Sequence, residues 1–567
     1  MNATDLLTSL DHLDAPQLRR LLVEHLTQKK LGLTWEANAI ERDAALNANL
    51  VLPSLQPDWS HWPEGDKPAE HLVIEGDNFD ALRLLNATHR GKVRVIYIDP
   101  PYNTGNKDWV YNDRYVGAND RWRHSQWLEF LYRRLVLARD LLTSDGVILV
   151  SINDENRARL ELLMDEVFPG RKVGSLVWKK RKSSNTALDF HYSSDHEHVL
   201  IYAGQNFAFN GSKKTWDGYQ NWDESKKNWW SSGPLTLGFT KDQRPNLFYP
   251  LYNPATEIWY PCDPKRVWVY ASKTRLGDKK VRTQPMERMI ADGLINFPDE
   301  PTPAFYATEA ELQTAIGQGN APPYLTGASE LSFWVGKKIA FGRPRFKRFK
   351  DSLVNESMPL SLIKSLLAQA SRPGDIVLDF FAGSGTTGQA VLELNAEDGG
   401  ARRFILCSST EATTKEPEKN LCRDVCAERL RRVMCGYGDK PALGGQFAYL
   451  QLDLTEPADL PFDATPAHAF YLLALRLLGA VPPAPTFAGA PFLPLGQAGD
   501  CALLIVPAVT PDAIDALIEW RTQQSIDRLA LWSPRPESLA ATLAARGIAA
   551  NCYSLLEALE RGQGGQT

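Results

Sequence analysis

The chain has 567 residues, an apolar fraction of 43% and a formal net charge of -5. This composition is typical of a folded protein and excludes a wholly disordered chain, and the length favours about three domains. No apolar run approaches the ~18 residues that a membrane-spanning helix needs. The first residues lack a basic stretch followed by an apolar one, so we expect no signal peptide, no membrane partner and a cytoplasmic location.

The first 170 residues divide into a helical segment and the first half of an α/β domain. Residues 1–70 have helical apolar spacing that ends in a loop, which predicts an N-terminal helical segment. From 71 to 170, short apolar runs alternate with helical patterns. This alternation predicts a parallel sheet with ligands at the carboxyl ends of its strands. The predicted strands are 71–78, 92–98 and 145–154, and the predicted helices are 79–90, 125–142 and 155–168.

Residues 171–350 lose the alternation, which predicts an inserted, irregular α+β domain. They hold 28 of the 56 aromatic residues, and residues 331–350 contain seven basic residues and no acidic one. Basic and aromatic side chains together favour phosphate contacts and base stacking, as in nucleic-acid binding. A solvated basic face over an aromatic core would have the same composition. The candidate nucleic-acid contacts are Lys179, Lys180, Arg181, Lys182, Arg343, Arg345, Lys347 and Arg348.

The α/β pattern returns at 351–440, where strands are predicted at 375–381 and 402–410. We expect this region to complete the sheet that residues 71–170 begin. After 440 the chain becomes rich in alanine, proline and leucine, and residues 441–567 carry 12 acidic against 6 basic residues. This region predicts a small C-terminal α/β domain, whose acidic surface either docks a partner or is simply solvated.

The stretch 95–102, "VIYIDPPY", ends a buried strand in an acid, two prolines and an aromatic ring. The prolines stop the strand and stiffen its tip. The Asp99 carboxylate and the Pro100 carbonyl can accept both hydrogens of an exocyclic amine on a nucleobase, and Tyr102 can stack on the base. A base must leave the double helix to reach them. The motif therefore predicts chemistry on a flipped base, although a bare turn is the alternative.

A second motif, "DIVLDFFAGSGTTGQAV", ends a strand at Asp379 and opens a helix through Gly383 and Gly385. Glycines allow a tight turn and a close approach of the backbone to a ligand. No lysine follows them, so this is not a phosphate-binding loop of the nucleotide hydrolases. The next strand leads to Glu411, where an acid can accept hydrogen bonds from ribose hydroxyls. The spacing predicts a nucleoside cofactor, and a structural turn remains the alternative.

Together, "IYIDPPYNTG" and the downstream "LDFFAGSGTTGQAV" resemble the β-group N6-adenine DNA methyltransferases, and in particular the Mod subunits of Type III restriction-modification systems. The similarity covers roughly residues 30–440. It implies a Rossmann-like, S-adenosylmethionine-dependent methyltransferase sheet with a circularly permuted motif order, and an inserted target-recognition domain at 171–350. By position, it implies catalytic roles for Asp99, Pro100, Pro101 and Tyr102, and cofactor contacts from Asp77, Asp379, Phe380, Ala382, Gly383, Gly385 and Glu411.

The resemblance also implies partners: double-stranded DNA, a second copy in a homodimer, and a restriction nuclease-helicase or other defence-system subunit. The sequence departs from the family pattern at Met358, where Lys often precedes the proline, and after residue 445. Two other functions stay open, namely cytosine-N4 methylation and a non-catalytic DNA-recognition subunit. The three histidines His191, His196 and His198 have no Cys or His partner at ligand spacing, so we predict no metal site.

Overall fold

The computed structural model describes residues 49–63, 67–103, 123–179, 196–213, 221–276, 284–297, 359–413 and 416–561, with short pieces between 310 and 353. The chain forms two compact units. One comprises Met1–Gly211 with Arg348–Thr567, and the other comprises Ser212–Lys347. None of the helices within the described ranges is long and apolar enough to cross a membrane.

The described residues form strands and helices throughout both units. In chain order the strands are β1 (Leu50–Leu55), β2 (His71–Glu75), β3 (Val93–Ile98), β4 (Leu142–Ile152), β5 (Lys172–Lys179), β6 (His196–Ala203), β7 (Ser212–Lys213), β8 (Asn221–Asp223), β9 (Asn228–Pro234), β10 (Thr236–Leu237), β11 (Leu251–Asn253), β12 (Ile258–Tyr260), β13 (Val267–Trp268), β14 (Ile295–Asn296), β15 (Ser332–Gly336), β16 (Phe346–Lys347), β17 (Ser352–Leu353), β18 (Ile376–Asp379), β19 (Arg403–Ser408), β20 (Phe447–Thr455), β21 (Leu493–Ala498), β22 (Cys501–Ile505), β23 (Arg528–Ser533) and β24 (Asn551–Ser554). The α-helices are α1 (Asn78–His89), α2 (Arg123–Leu141), α3 (Asp154–Val167), α4 (Lys273–Leu276), α5 (Met286–Ala291), α6 (Pro359–Ala370), α7 (Thr386–Asp398), α8 (Glu428–Cys435), α9 (Leu460–Asp463), α10 (Pro466–Leu477), α11 (Pro511–Gln524), α12 (Pro536–Ala545) and α13 (Leu555–Glu560), and a π-helical turn, Cys422–Ala427, leads into α8.

A ten-stranded mixed sheet organises the first unit, in the order β1-β20-β2-β19-β18-β3-β4-β6-β5-β17. Its central strands β2, β19, β18, β3 and β4 run parallel. Every residue of β3 is buried, because helices cover both faces and a central parallel strand then needs apolar residues on both sides. The predicted α/β sheet is confirmed.

The parallel register explains how motifs far apart in the chain meet. Strand β18 pairs with β3 through Val377 and Val95, and it pairs with β19 on its other side. The carboxyl ends of neighbouring parallel strands lie at one edge of a sheet. Asp99, which follows β3, and Asp379, which ends β18, therefore share that edge.

Three predicted domain boundaries differ from the structure. The segment 171–350 was expected to be one insert, but β5 and β6 pair antiparallel within the large sheet, and the separate unit begins at Ser212. Within the expected helical segment 1–70, Leu50–Leu55 is an edge strand, and residues 1–48 lie outside the described residues. The position of β6 inside the large sheet has a reason in the sequence. Residues Val199 to Ala203 are all apolar, which suits a strand that is buried on both faces.

The C-terminal boundary at 440 also differs. Strand β20 pairs parallel with β2 and antiparallel with β1, so the region 441–567 begins inside the large sheet. Beyond it, β21-β22-β23-β24 form the small four-stranded sheet of an α/β arrangement with α11 and α12. This sheet belongs to the same compact unit as the large one.

The second unit, Ser212–Lys347, is built differently. Its largest sheet has four short strands in the order β14-β15-β9-β8, and the rest are two-stranded pairs. Aromatic and sulfur-containing side chains fill its core, including Tyr249, Trp268 and Met286. This irregular architecture agrees with the fading of strand–helix alternation in the sequence.

Candidate active site

A cavity of about 880 Å³ opens at the carboxyl edge of the large sheet. It lies where β2, β3, β18, β19 and β20 end, so five strands contribute to its wall. Most of the expected catalytic and cofactor-binding residues line it: Asp77, Asp99, Pro100, Pro101, Tyr102, Asp379, Phe380, Ala382, Gly383 and Glu411. Both motifs therefore face one cavity, although a long stretch of chain separates them.

Buried side chains hold the backbone of the Asp99–Tyr102 segment. The indole Nε1 of Trp127 donates to the Pro101 carbonyl at 2.7 Å. The amide Nδ2 of Asn156 donates to the Tyr102 carbonyl at 2.7 Å. Within the part of the chain that the structure describes, the Pro100 carbonyl accepts no hydrogen bond. The fold thus fixes two carbonyls of the segment, while Pro100 and the exposed Asp99 line the cavity.

The ring of Tyr102 is held beside these acceptors and stays neutral. Its hydroxyl lies 3.5 Å from the Glu197 carboxylate on β6. Burial first, then the negative charges of Asp99 and Glu197, raise the pKa of Tyr102. A neutral phenol in this position offers an aromatic face rather than a phenolate charge.

Asp379 is buried and its carboxylate is fully engaged by its own loop. One oxygen accepts from the Phe381 amide at 3.0 Å and the other from the Thr387 hydroxyl at 2.6 Å. Burial, and to a smaller extent the charge of Asp99, raise the pKa of Asp379 to about 7, against the lowering effect of these two hydrogen bonds. Asp379 therefore shapes the turn between β18 and α7.

The two glycines of this turn have different roles. Gly383 has a φ of +50°, and an added Cβ would meet nothing closer than 3.9 Å, so its bare backbone faces open space at the cavity. Gly385 has a φ of +79°, and an added Cβ would lie 2.9 Å from the Cys426 sulfur. Gly385 does not line the cavity, although the sequence predicted it there. It lies where α7 packs against the π-helical turn.

Asp77 lines the opposite end of the cavity and begins helix α1. Its Oδ1 accepts from the Phe79 amide at 2.8 Å, which caps the helix, and from Arg134 Nη2 at 2.8 Å. Arg134 is almost fully buried and its guanidinium lies 3.7 Å from the centre of the Phe130 ring. The amide of Asn78 donates to the Phe380 carbonyl at 3.0 Å and so ties this end to the cofactor turn.

Glu75 is a cavity residue that the sequence reasoning missed. It is buried at the end of β2, and it accepts from Asn420 Nδ2 at 2.8 Å, from Gln451 Nε2 at 2.9 Å and from the Tyr449 hydroxyl. An acid that ends the apolar run of β2 could have flagged Glu75. Nothing in the sequence pointed to Tyr449 and Gln451, because they lie on β20, within the region assigned to a separate domain.

Glu411 lies at the cavity just after β19, with a φ of +51°. Its carboxylate forms an ion pair with Lys419 at 3.1 Å. Asp77, Glu75 and Glu411 thus give three carboxylates along the cavity wall formed by β2 and β19. Such a wall can accept hydrogen bonds from hydroxyl and amino groups of a nucleoside.

The expected nucleic-acid contacts are mostly not described. Lys179 is exposed at the end of β5, in the large sheet. Lys347 lies on β16, opposite Ser212. Outside the described residues lie Lys180, Arg181, Lys182, Arg343, Arg345 and Arg348, as well as His191 and Met358.

Exposed aromatic rings on the second unit are a feature that the basic clusters did not identify. Trp222 and Trp229 are 48% and 43% exposed, and their ring centres are 5.5 Å apart. Tyr252 contacts Trp259 at 4.7 Å between ring centres. Rings left open to solvent in this way can stack on unpaired bases.

Comparison with known proteins identifies a family and several relatives that this chain resembles in sequence. The sequence profile of a family described as DNA methylase matches residues 93–415, more than half of the chain. The Type III restriction-modification enzyme StyLTI Mod subunit of Salmonella typhimurium is 30% identical over 70% of this chain and 62% of its own length. The EcoPI Mod subunit of Escherichia phage P1 is 29% identical over 69% of this chain and 65% of its own. The Type II methyltransferase M.KpnI of Klebsiella pneumoniae is 29% identical over 67% of this chain and 89% of its own.

This chain therefore spans less than two thirds of the length of the two Mod subunits, but most of the length of the Type II relative. The profile match begins at the start of β3 and ends just after β19. It contains both cavity motifs and the whole of the second unit.

Proposed function

The chain belongs to the DNA methylase family, and from that premise we propose that it transfers a methyl group from S-adenosylmethionine to N6 of adenine in double-stranded DNA. One observation supports this proposal above all. The Asp99–Tyr102 segment and the Asp379–Gly383 segment line a single cavity at the carboxyl edge of the sheet. The first segment suits an exocyclic amine, and the second suits a nucleoside cofactor.

The cavity residues fit S-adenosylmethionine. A volume of about 880 Å³ lies within the usual range of small-molecule sites, ~300–1,000 Å³. Glu411 and Asp77 would accept hydrogen bonds from the nucleoside, and the bare backbone at Gly383 would allow close approach. When bound, this cofactor supplies an electrophilic methyl group on a positively charged sulfur.

The Asp99 carboxylate and the Pro100 carbonyl prepare the amine. The lone pair of an adenine amine is delocalised into the ring, which makes the nitrogen a poor nucleophile. Two acceptors that each take one of its hydrogens favour a pyramidal nitrogen with a localised lone pair. Trp127 and Asn156 hold the neighbouring carbonyls, so the acceptors are preorganised and no reorganisation is needed during the reaction. Methylation releases one amine proton, which the exposed Asp99 can accept and pass to water.

Tyr102 would stack on the base once it has left the double helix. Exposed rings such as Trp222 and Trp229 on the second unit would contact DNA, together with the basic residues of that unit. We further propose a homodimer in the cytoplasm that acts as the modification component of a restriction-modification or related defence system, with a nuclease-helicase as its partner. The 30% identity to a Mod subunit supports this context.

The test is transfer of a labelled methyl group to unmethylated DNA, with wild type, Asp99→Ala and Asp58→Ala compared. Asp58 follows β1 in a short helical turn and serves as the matched control. We expect label in wild type and control and loss in Asp99→Ala. Mass analysis of the digested DNA separates N6-methyladenine from N4-methylcytosine, and the cytosine product would contradict the adenine assignment.

A chain that binds S-adenosylmethionine and DNA but transfers no methyl group would contradict the enzymatic proposal. That result would instead favour a recognition subunit that delivers a partner. Copurification of an ATPase without methyl transfer is the outcome expected of such a subunit.

A further inference from the structure

Three metal-ligating side chains meet next to the elements that hold Tyr102. Asp154, His196 and His198 each offer one ligand atom, and these atoms all lie within 4.8 Å of one another. The sequence offers no Cys or His partner for these histidines at ligand spacing. The fold instead brings a carboxylate, Asp154, to the start of β6.

The backbone places these side chains together. His196 and His198 are two residues apart on β6, so they leave the same face of the strand. Asp154 is the first residue of α3, directly after its capping residue Asn153. The Asp154 Oδ1 lies 3.1 Å from His198 Nε2, and the two imidazole centres are 5.1 Å apart.

The Asp154–His198 contact has the spacing of two ligands of one small divalent ion. Ligand atoms that each lie ~2.0–2.1 Å from a tetrahedral ion are about 3.3 Å apart, close to the Asp154–His198 separation. The Asp154 side chain is 49% exposed and His198 only 5%. The imidazole of His198 is held by burial, and the exposed carboxylate of Asp154 is accessible to an ion from solvent.

The donor set selects the kind of ion. Two imidazole nitrogens and one carboxylate oxygen suit Zn²⁺, Co²⁺ or Ni²⁺, whereas Mg²⁺ and Ca²⁺ prefer oxygen ligands. The Ser175 hydroxyl lies 3.5 Å from the other ring nitrogen of His198, where a second contact can orient the ring. The nearby guanidinium of Arg157 is ion-paired with Glu161 at 3.5 Å.

We propose that Asp154, His196 and His198 bind one divalent ion of the zinc class, with a water molecule in the fourth position. The ion joins the first turn of α3 to the start of β6. Those two elements also carry Asn156, which holds the Tyr102 carbonyl, and Glu197, which faces the Tyr102 hydroxyl. Metal binding therefore stabilises the part of the fold on which Tyr102 rests.

The experiment measures Zn²⁺ stoichiometry and affinity on the full chain, prepared without a polyhistidine tag. Wild type is compared with His196→Ala, Asp154→Asn and His468→Ala. His468 is the matched control, because it forms an equivalent contact to Asp453 at 3.1 Å, and the described residues place no third ligand beside that pair. We expect one equivalent of Zn²⁺ in wild type and control. Loss of a direct ligand should weaken binding by at least the ~10- to 100-fold that loss of an outer partner costs.

Two further readouts do not depend on methyl transfer. Co²⁺ should give visible absorption bands of a four-coordinate ion in wild type and control, and these should vanish in His196→Ala. Zn²⁺ should raise the melting temperature of wild type and His468→Ala but not of His196→Ala or Asp154→Asn. Absence of Zn²⁺ binding by wild type would overturn the proposal, and so would full affinity in both His196→Ala and Asp154→Asn. Asp154→Asn changes an exposed residue, so it keeps the test decisive if His196→Ala fails to fold.

Discussion

Two carboxylates end neighbouring strands of one sheet, and the fold gives them opposite surroundings. Asp99 is exposed at the tip of β3 and faces the cavity. Asp379, at the end of β18, is 3% exposed and both its oxygens are taken by its own loop. A similar place in the sheet therefore yields one acid that is exposed at the cavity and one that is buried and shapes a turn. Exposure and hydrogen bonding, rather than position along a strand, separate a reacting acid from a structural one.

The largest expected effect follows from removing the exposed acid. Asp99→Ala should lower kcat by about 100- to 1,000-fold, the usual loss when one preorganised group at the reacting atoms is removed. Affinity for S-adenosylmethionine should change little, because Asp99 faces the amine. Methyl-transfer kinetics and calorimetric cofactor binding measure the two quantities. A variant that loses cofactor affinity but keeps kcat would place Asp99 at the cofactor rather than at the amine.

The buried carboxyl of Asp379 should affect the free energy of unfolding and its dependence on pH. The folded-state pKa of Asp379 is about 7, above the ~3.9 of an unfolded aspartate. Between these values the folded chain keeps a proton that the unfolded chain has lost. The stability that this proton contributes is present at low pH and is lost as pH rises through about 7.

Asp379→Asn should therefore be less stable than wild type at pH 5, by roughly 1–3 kcal/mol for the hydrogen bond that its amide cannot accept. The difference should shrink as pH approaches 8, because only wild type then bears a buried charge. Urea unfolding of both proteins at several pH values measures it. A difference that grows with pH would contradict the raised pKa of Asp379.

A smaller effect is expected from the side chains that hold the Asp99–Tyr102 segment. Asn156→Ala frees the Tyr102 carbonyl and should reduce kcat by about tenfold, as a loosened group at the reacting atoms. Asn86→Ala is the matched control. The side-chain amide of Asn86 likewise donates to backbone carbonyls, those of Leu82 and Leu137, and Asn86 does not line the cavity. Both variants should lose similar stability. Equal kcat in the two would mean that the Tyr102 carbonyl needs no support.

The smallest effect concerns Glu75. Tyr449→Phe removes one of its three donors and should weaken cofactor binding by about threefold, with a loss of stability of ~0.5–1.5 kcal/mol. Tyr202→Phe is the control, since that hydroxyl donates to Asp165 at 2.6 Å on α3. Calorimetric titration with S-adenosylmethionine measures the cofactor affinity of both variants, and only Tyr449→Phe should be weakened. Unchanged affinity in Tyr449→Phe would remove Glu75 from the cofactor site.

The sequence predicted those parts of the site that rest on short-range pattern. Asp99 and Asp379 each follow an apolar strand, and the rules of parallel sheets bring such ends together. Strands β5 and β6 were misassigned because aromatic and basic residues around them resemble those of the insert. Two contacts could not be predicted, namely that of Tyr449 with Glu75 and that of Asp154 with His198. Each contact joins residues that are remote in the chain, and a pairing of this kind leaves no local pattern.

Strand β20 has a consequence for the order in which the protein becomes competent. The wall of the cavity includes Gln451, Leu452 and Asp453, and Leu452 packs so close to Gly76 that a Cβ there would lie 2.8 Å from its Cδ1. During synthesis, both motifs have left the ribosome well before this strand appears. The nascent chain thus carries its complete motifs for some time without a finished cavity. Competence arrives only with β20, so a product truncated before Phe447 would contain every motif and still lack one side of the site.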